Sequence, residues 1–247
     1  MSRPRFFVPG MAPEAPIADL PVEERHHLLH VLRLGVGTEV SVFDGRGREW
    51  LARVLSADRR RGVTVEIAGT ITPAAEPPVR VAIGIGLLKS DRMDAAVRDA
   101  TMLGAAEIVP FLSDHVAVPA RAWRGGTAVE RWRRIAVASA KQCGRAVVPD
   151  VSSVATLASL LERPDDGPRL ICVEPARPGA NPIAAGARER PAAALVLIGP
   201  EGGWSDSELS AATARGLQPV HLGPRTLRAE TAPTVLLSAL WTVWGWE

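Results

Sequence analysis

Tyrosine is absent from the 247 residues, lysine occurs twice, and the only cysteines are Cys143 and Cys172. Two cysteines make no disulfide framework, and by themselves no zinc site. No apolar run reaches the length of a bilayer-crossing helix. The opening residues, MSRPRFFVPGMAPEAP, lack the continuous apolar segment of a signal peptide. A cytoplasmic protein without membrane attachment is therefore expected. The chain also lacks a Gly-Lys-Ser/Thr ending for a phosphate loop and a Gly-x-Gly-x-x-Gly dinucleotide fingerprint.

What is present is a 47% hydrophobic chain with 23% charged residues and a net charge of +2, the profile of a globular protein with a sizeable core. The charge is uneven. Arg121, Arg124, Arg131, Arg133, Arg134, Lys141 and Arg145 face a single acid, Glu130, between 121 and 145. Clustered guanidinium groups suit phosphate; a solvated helix face is the alternative.

Two rhythms divide the chain. Residues 38–69 alternate apolar and polar residues in three runs, TEVSVFDG, REWLARVLSA and GVTVEIAG, parted by glycine turns. Ahead of them PVEERHHLLHVLRL has helical spacing at Val22, Leu28, Leu29 and Leu32. A small β-rich module over 1–72 is expected, compact enough for a barrel. TITPAAEPPVR is the best linker. From 73 onward strand-like and helix-like runs alternate, which predicts an α/β domain over 73–247. Ser90 or Asp91 is expected to cap the first helix of this domain, and Ser205 with Glu208 forms a capping box further on. The last segment, ETAPTVLLSALWTVWGW, is a helix with Ala232, Val235, Leu236, Ala239, Leu240, Val243 and Trp244 in one apolar stripe. Such a stripe is buried in its own domain or covered by a second subunit.

Two strand-like runs end in similar breaks: LVLIGPEGGWSDSEL at Gly199-Pro200 and VHLGPRTLRAETA at Gly223-Pro224. Glycines after a strand let a ligand approach the backbone. Glu201 sits where a polyphosphate would, a poor electrostatic match. An uncharged or cationic ligand fits better. S-adenosylmethionine has a sulfonium cation and no phosphate.

The paired stretches IGPEGGWSDSEL (198–209) and LGPRTLRAETA (222–232) closely resemble signatures of the RsmE family, 16S rRNA uracil-N3 methyltransferases of the SPOUT superfamily. HHLLHVLRL, VFDGRGREW, LKSDRMD and RWRRIAVASAKQCGRAVVP extend the resemblance over nearly the whole chain. At Asp99 and Met102 the chain departs from the family pattern. The resemblance implies a PUA-like RNA-binding β-barrel over 1–72 and a SPOUT methyltransferase domain over 73–247, with a C-terminal trefoil knot. It implies a homodimer through the terminal helix and 16S rRNA of the small ribosomal subunit as partner, methylated near the decoding centre. S-adenosylmethionine would lie among Leu197, Ile198, Gly199, Pro200, Glu201, Gly202, Gly203, Leu222, Gly223, Pro224, Arg225 and Leu227. A non-catalytic RNA-binding or ribosome-assembly factor on this scaffold, or a methyltransferase with another RNA target, is the alternative.

Uracil N3 carries a proton and is a poor nucleophile until that proton is removed or the anion stabilised. Arg228 is the candidate stabiliser, and Glu230 and Glu201 the candidate bases. Arg33, Arg46, Arg48, Arg131, Arg134 and Arg145 are the candidate RNA contacts. N3 alkylation needs no cysteine adduct, so Cys143 is read as structural. His26, His27 and His30 have helical spacing but no accompanying acidic or cysteine cluster, so no metal is expected.

Overall fold

The computed structural model describes residues 3–12, 14–116, 126–164, 166–187 and 189–246. Arg121, Trp123 and Arg124 lie outside them. The chain divides into two compact units, one of residues 1–76 with 140–148, the other of 77–139 with 149–247.

In the first unit, β1 (Arg5–Phe7), β2 (Ile17–Asp19), α1 (Val22–His26), β3 (Glu39–Phe43), β4 (Glu49–Asp58) and β5 (Gly62–Ile71) follow in order. The strands form one sheet, β1-β3-β4-β5-β2. The alternation of β3 to β5 puts Val40, Val42, Trp50, Ala52, Val54, Val63 and Val65 into one core with Phe6, Leu20 and Leu28. The helix over 22–34 differs from expectation. After His26 it widens into π-helical turns over His27–Leu32 and ends at Arg33 with φ 54°. Leu28 is buried, but Val22 and Leu32 face outward, because the change of period rotates the stripe off the core. Phe43 of β3, Ala140 and Ala146 make a second, smaller core, with Phe7 of β1 and Val148 packed against it. Arg5 lies over the Phe43 ring, pairs with Glu49 and donates to the carbonyls of Ala140, Lys141 and Arg145.

The second unit alternates strands and helices: β6 (Arg80–Gly86), α2 (Ser90–Met102), β7 (Glu107–Leu112), α3 (Thr127–Cys143), β8 (Asp150–Val151), β9 (Ala155–Thr156), α4 (Leu157–Leu161), β10 (Arg169–Cys172), β11 (Asn181–Pro182), α5 (Ile183–Gly186), β12 (Ala193–Ile198), α6 (Asp206–Ala214), β13 (Gln218–His221) and α7 (Ala232–Trp244). The sheet runs β11-β13-β10-β12-β6-β7-β8, with β9 beside β7. Every pairing in it is parallel, as the near-continuous apolar runs require. Lys89 is the N-cap of α2 and makes no side-chain cap bond, so neither Ser90 nor Asp91 takes that position. The Ser205–Glu208 capping box forms as expected. α7 buries Ala232, Leu236, Leu237, Leu240 and Trp244 in its own unit. Val235, Ala239 and Val243 remain half-exposed.

Candidate active site

Strand order places the site. β10 lies between β12 and β13, with Cys172 in register with Ile198 on one side and Val220 on the other. The two Gly-Pro loops thus leave strands that are one strand apart, and the end of β10 forms the floor between them. Ligand sites of parallel α/β sheets lie beyond these carboxyl ends. Here a cavity of about 400 Å³ opens, lined by Ile198, Gly199, Pro200, Glu201, Gly203 and Trp204, by Leu222, Arg225, Thr226, Leu227, Arg228 and Glu230, and by Cys172, Val173, Glu174, Pro175 and Arg92. Its volume suits a small organic ligand.

The glycines are needed where they stand. A Cβ on Gly199 would come 2.9 Å from the Trp204 indole nitrogen. Gly203 has φ +70°, and a Cβ there would meet Glu174 Oε1 at 2.8 Å. Trp204 stacks on Phe111 with ring centroids 5.7 Å apart and donates its N–H to the Cys172 carbonyl at 2.8 Å. The glycine loop is thereby tied to the end of β10. On its outer side, His115 Nδ1 lies 3.2 Å from the Gly202 carbonyl, and Ser205 Oγ donates to Asp114 at 2.6 Å.

Most of the expected cofactor residues meet at the cavity, and four do not line it. Leu197 points into the core with Phe111 and Leu160, since side chains alternate along β12 and Ile198 takes the cavity side. Gly202 packs against His115. Gly223, with φ +116°, and exposed Pro224 make the turn itself.

The charged residues form a linked group. Arg92 Nη1 lies 3.1 Å from Glu201 Oε1, and its Nε 3.8 Å from Glu230 Oε1. The Lys89 N–H also donates to Glu201 Oε1, at 3.3 Å. Arg228 is 78% exposed, and its one ion-pair contact among the described residues is to Glu230 at 4.0 Å. Glu230 Oε2 is buried and has no hydrogen-bond donor among the described residues. Cys172 lines the cavity, but burial pushes its thiol up to about 12, so it offers no thiolate near neutral pH. Cys143 is elsewhere, its Sγ donating to the Ala140 carbonyl at 3.8 Å.

Arg92 and Glu174 are absent from the sequence-derived site. A signal existed for Glu174: ICVEP is a third apolar run ending in a carboxylate and a proline, like IGPEGG. Arg92 stands in the first turn of a helix, where nothing local distinguishes it from a solvated arginine.

The candidate RNA residues separate. Arg46 and Arg48 are exposed on a loop whose backbone N–H groups both donate to buried Asp44, at 2.7 and 3.1 Å. Arg33 is exposed at its left-handed position. Arg131 is exposed and paired with Asp94, and exposed Arg134 donates to the Glu130 carbonyl. Arg145 is only 6% exposed and donates to both Glu76 carboxylate oxygens at 2.6–2.9 Å. Phosphate cannot reach it without breaking that pair. Among the described residues, no group of three His, Cys, Asp or Glu could hold a metal ion, and no helix is long and apolar enough to cross a membrane.

A parallel α/β unit with a glycine-walled cavity beyond its strand ends matches a family model described as an RNA methyltransferase domain over residues 75–241, and residues 20–67 match an RNA methyltransferase PUA domain. The class is therefore that of the RNA methyltransferases. The chain is 35% identical to ribosomal RNA small subunit methyltransferase E of Synechocystis over 90% of its own length and 71% of that protein. It is 30% identical to the Bacillus subtilis protein of the same name, covering 92% and 90%. The crystal structure of a ribosomal RNA small subunit methyltransferase E from Neisseria gonorrhoeae bound to S-adenosyl methionine is similar over 98% of both chains, with a TM-score of 0.88 and 30% identity. The chain belongs to the ribosomal RNA small subunit methyltransferase E family.

Proposed function

We propose that this protein transfers a methyl group from S-adenosylmethionine to N3 of a uridine in 16S rRNA, near the decoding centre of the small ribosomal subunit. The observation that carries this is that both Gly-Pro loops line one cavity, with Arg228 exposed at its rim. The residues fit the cofactor. Backbone and apolar walls at Ile198, Gly199, Leu222 and Leu227 suit an adenine, and Glu174 supplies negative charge for a cation. When bound, the cofactor supplies an electrophilic methyl group. Arg228 is free to hydrogen-bond a uracil carbonyl oxygen and stabilise the anion that develops at N3. Glu230 and Glu201 are the proposed proton acceptors.

The same reading assigns 1–72 as a PUA-like RNA-binding β-barrel and 73–247 as a SPOUT methyltransferase domain with a C-terminal trefoil knot. The convergence of the 197–203 and 222–230 segments on one cavity supports the knot assignment. Exposed Arg33, Arg46, Arg48, Arg131 and Arg134 are the proposed phosphate contacts. A homodimer through α7 is supported by half-exposed Val235, Ala239 and Val243, a cytoplasmic site of action by the ribosomal substrate. Mass analysis of nucleosides from a strain lacking the gene tests the assignment. Loss of 3-methyluridine from 16S rRNA alone is expected; its persistence there overturns it.

A further inference from the structure

Three carboxylates and three guanidinium groups share the cavity, and their hydrogen bonds are unequally distributed. Glu201 Oε1 accepts from both the Arg92 side chain and the Lys89 backbone N–H. Its charge is neutralised and its position is held. Glu230 Oε1 has the cations of Arg92 and Arg228 at 3.8 and 4.0 Å, within ion-pair range but beyond hydrogen-bond length. Its Oε2 has no donor among the described residues. A buried acceptor without a donor costs free energy and calls for an explanation.

We infer that Arg92 is a positioning residue that separates the roles of the two carboxylates, fixing Glu201 by hydrogen bonds and leaving Glu230 without a hydrogen-bonded partner as the proton acceptor. This rests on the methyltransferase reading of the cavity. Arg92 reaches both groups because it leaves the first turn of α2, while Glu201 comes from the loop after β12 and Glu230 from the segment before α7. A carboxylate already bonded to a guanidinium and an amide is a weak base, because those donors are lost when it is protonated. Glu230 has cations only at 3.8 and 4.0 Å and an oxygen with no donor among the described residues, so taking up a proton breaks no hydrogen bond there. Its final torsion is broad and nearly two-fold, so either oxygen can turn toward a substrate N–H. The other titratable groups lining the cavity are Glu174 and Cys172 from the end of β10 and Arg225 from the loop after β13.

With S-adenosylmethionine bound, Glu230 would first take the N3 proton; the N3–methyl bond would then form as the methyl–sulfur bond breaks, leaving a neutral thioether, and the Glu230 carboxyl would return its proton to water.

The test compares wild type with Glu230→Gln, Glu201→Gln, Arg92→Ala and Arg92→Gln. Transfer of labelled methyl from S-adenosylmethionine to small subunits carrying unmethylated 16S rRNA is followed from about pH 5 to 9. Calorimetry reports cofactor affinity for each variant. Glu230→Gln is expected to lower kcat at least about 100-fold with cofactor affinity unchanged, and to abolish the acid limb of the profile. What remains is the rise toward alkaline pH imposed by uridine's own ionisation. Glu201→Gln keeps the acid limb. Arg92→Ala moves that limb to higher pH, because loss of a neighbouring cation favours the protonated carboxyl. Arg92→Gln carries the same expectation should the alanine variant not fold. An acid limb that survives Glu230→Gln, or that stays in place when the Arg92 charge is removed, overturns the inference. Failure of the underlying reading looks different: wild type would neither bind the cofactor nor label the RNA.

Discussion

The indole N–H of Trp204 donates to the carbonyl of Cys172 at 2.8 Å, across 32 residues of sequence. This bond joins the glycine loop after β12 to the end of β10, and the cavity lies between them. The same indole occupies the space that a side chain on Gly199 would need.

Gly199→Ala is therefore expected to weaken S-adenosylmethionine binding at least about tenfold, equivalent to about 1.4 kcal/mol. Trp204→Phe keeps the stack on Phe111 but loses the hydrogen bond, costing about 1 kcal/mol of stability. Calorimetric titration and denaturant unfolding measure the two. An alanine variant that binds normally would mean that the loop has slack the structure does not show.

Arg228 projects into solvent, touching Glu230 only at long range. Arg228→Ala should lower kcat about 10²–10³-fold, as loss of an anion-stabilising donor does, and leave cofactor affinity within about twofold of wild type. Single-turnover methylation with unmethylated small subunits checks this. Unchanged turnover removes Arg228 from the mechanism.

Acid stability depends on two partly buried carboxylates. Burial opposes ionisation of Glu49, but hydrogen bonds from Arg5 and Ser41 and the Arg5 charge hold it below the ordinary 4.5. Glu107 is likewise opposed by burial and held down by Arg163 and Ser152. A depressed carboxylate contributes stability that is complete above its unfolded pKa and is lost as pH falls through the lower folded value. Tm should thus begin to drop below about pH 4.5. Arg163→Leu should flatten that drop while lowering Tm at neutral pH. Equal acid sensitivity in variant and wild type counts against this source.

Arg145 and Arg46 should behave oppositely. Breaking the Arg145–Glu76 pair leaves a carboxylate that is 34% exposed, so Arg145→Ala should cost less than the about 3–5 kcal/mol of a fully buried broken pair. Arg46→Ala should leave stability within about 0.5 kcal/mol. Urea denaturation compares the two.

RNA affinity should fall steeply with salt. Removing Arg33, Arg46 and Arg48 together should lower the log–log slope by about 0.7 for each lost single-strand phosphate contact. Filter binding of a 16S rRNA fragment across a salt series reads it. A slope unchanged in the triple variant would place the RNA on another surface.

Local sequence determined a good part of this protein. The alternation of 38–69 specified β3 to β5, the Ser205–Glu208 box specified the start of α6, and the two Gly-Pro breaks marked the loops that line the cavity. Each of these is a short-range property of periodicity, capping or glycine conformation. Tertiary structure alone decided the rest. It inserted β10 between the two loop-bearing strands, and with it Glu174 and Cys172. It brought Arg92 to Glu201, 109 residues away, and it buried Arg145 against Glu76, 69 residues away. Nothing in the spacing of an arginine along its own helix records which distant carboxylate it will meet. That meeting is set by strand order and by the need to neutralise charge where the chain closes on itself.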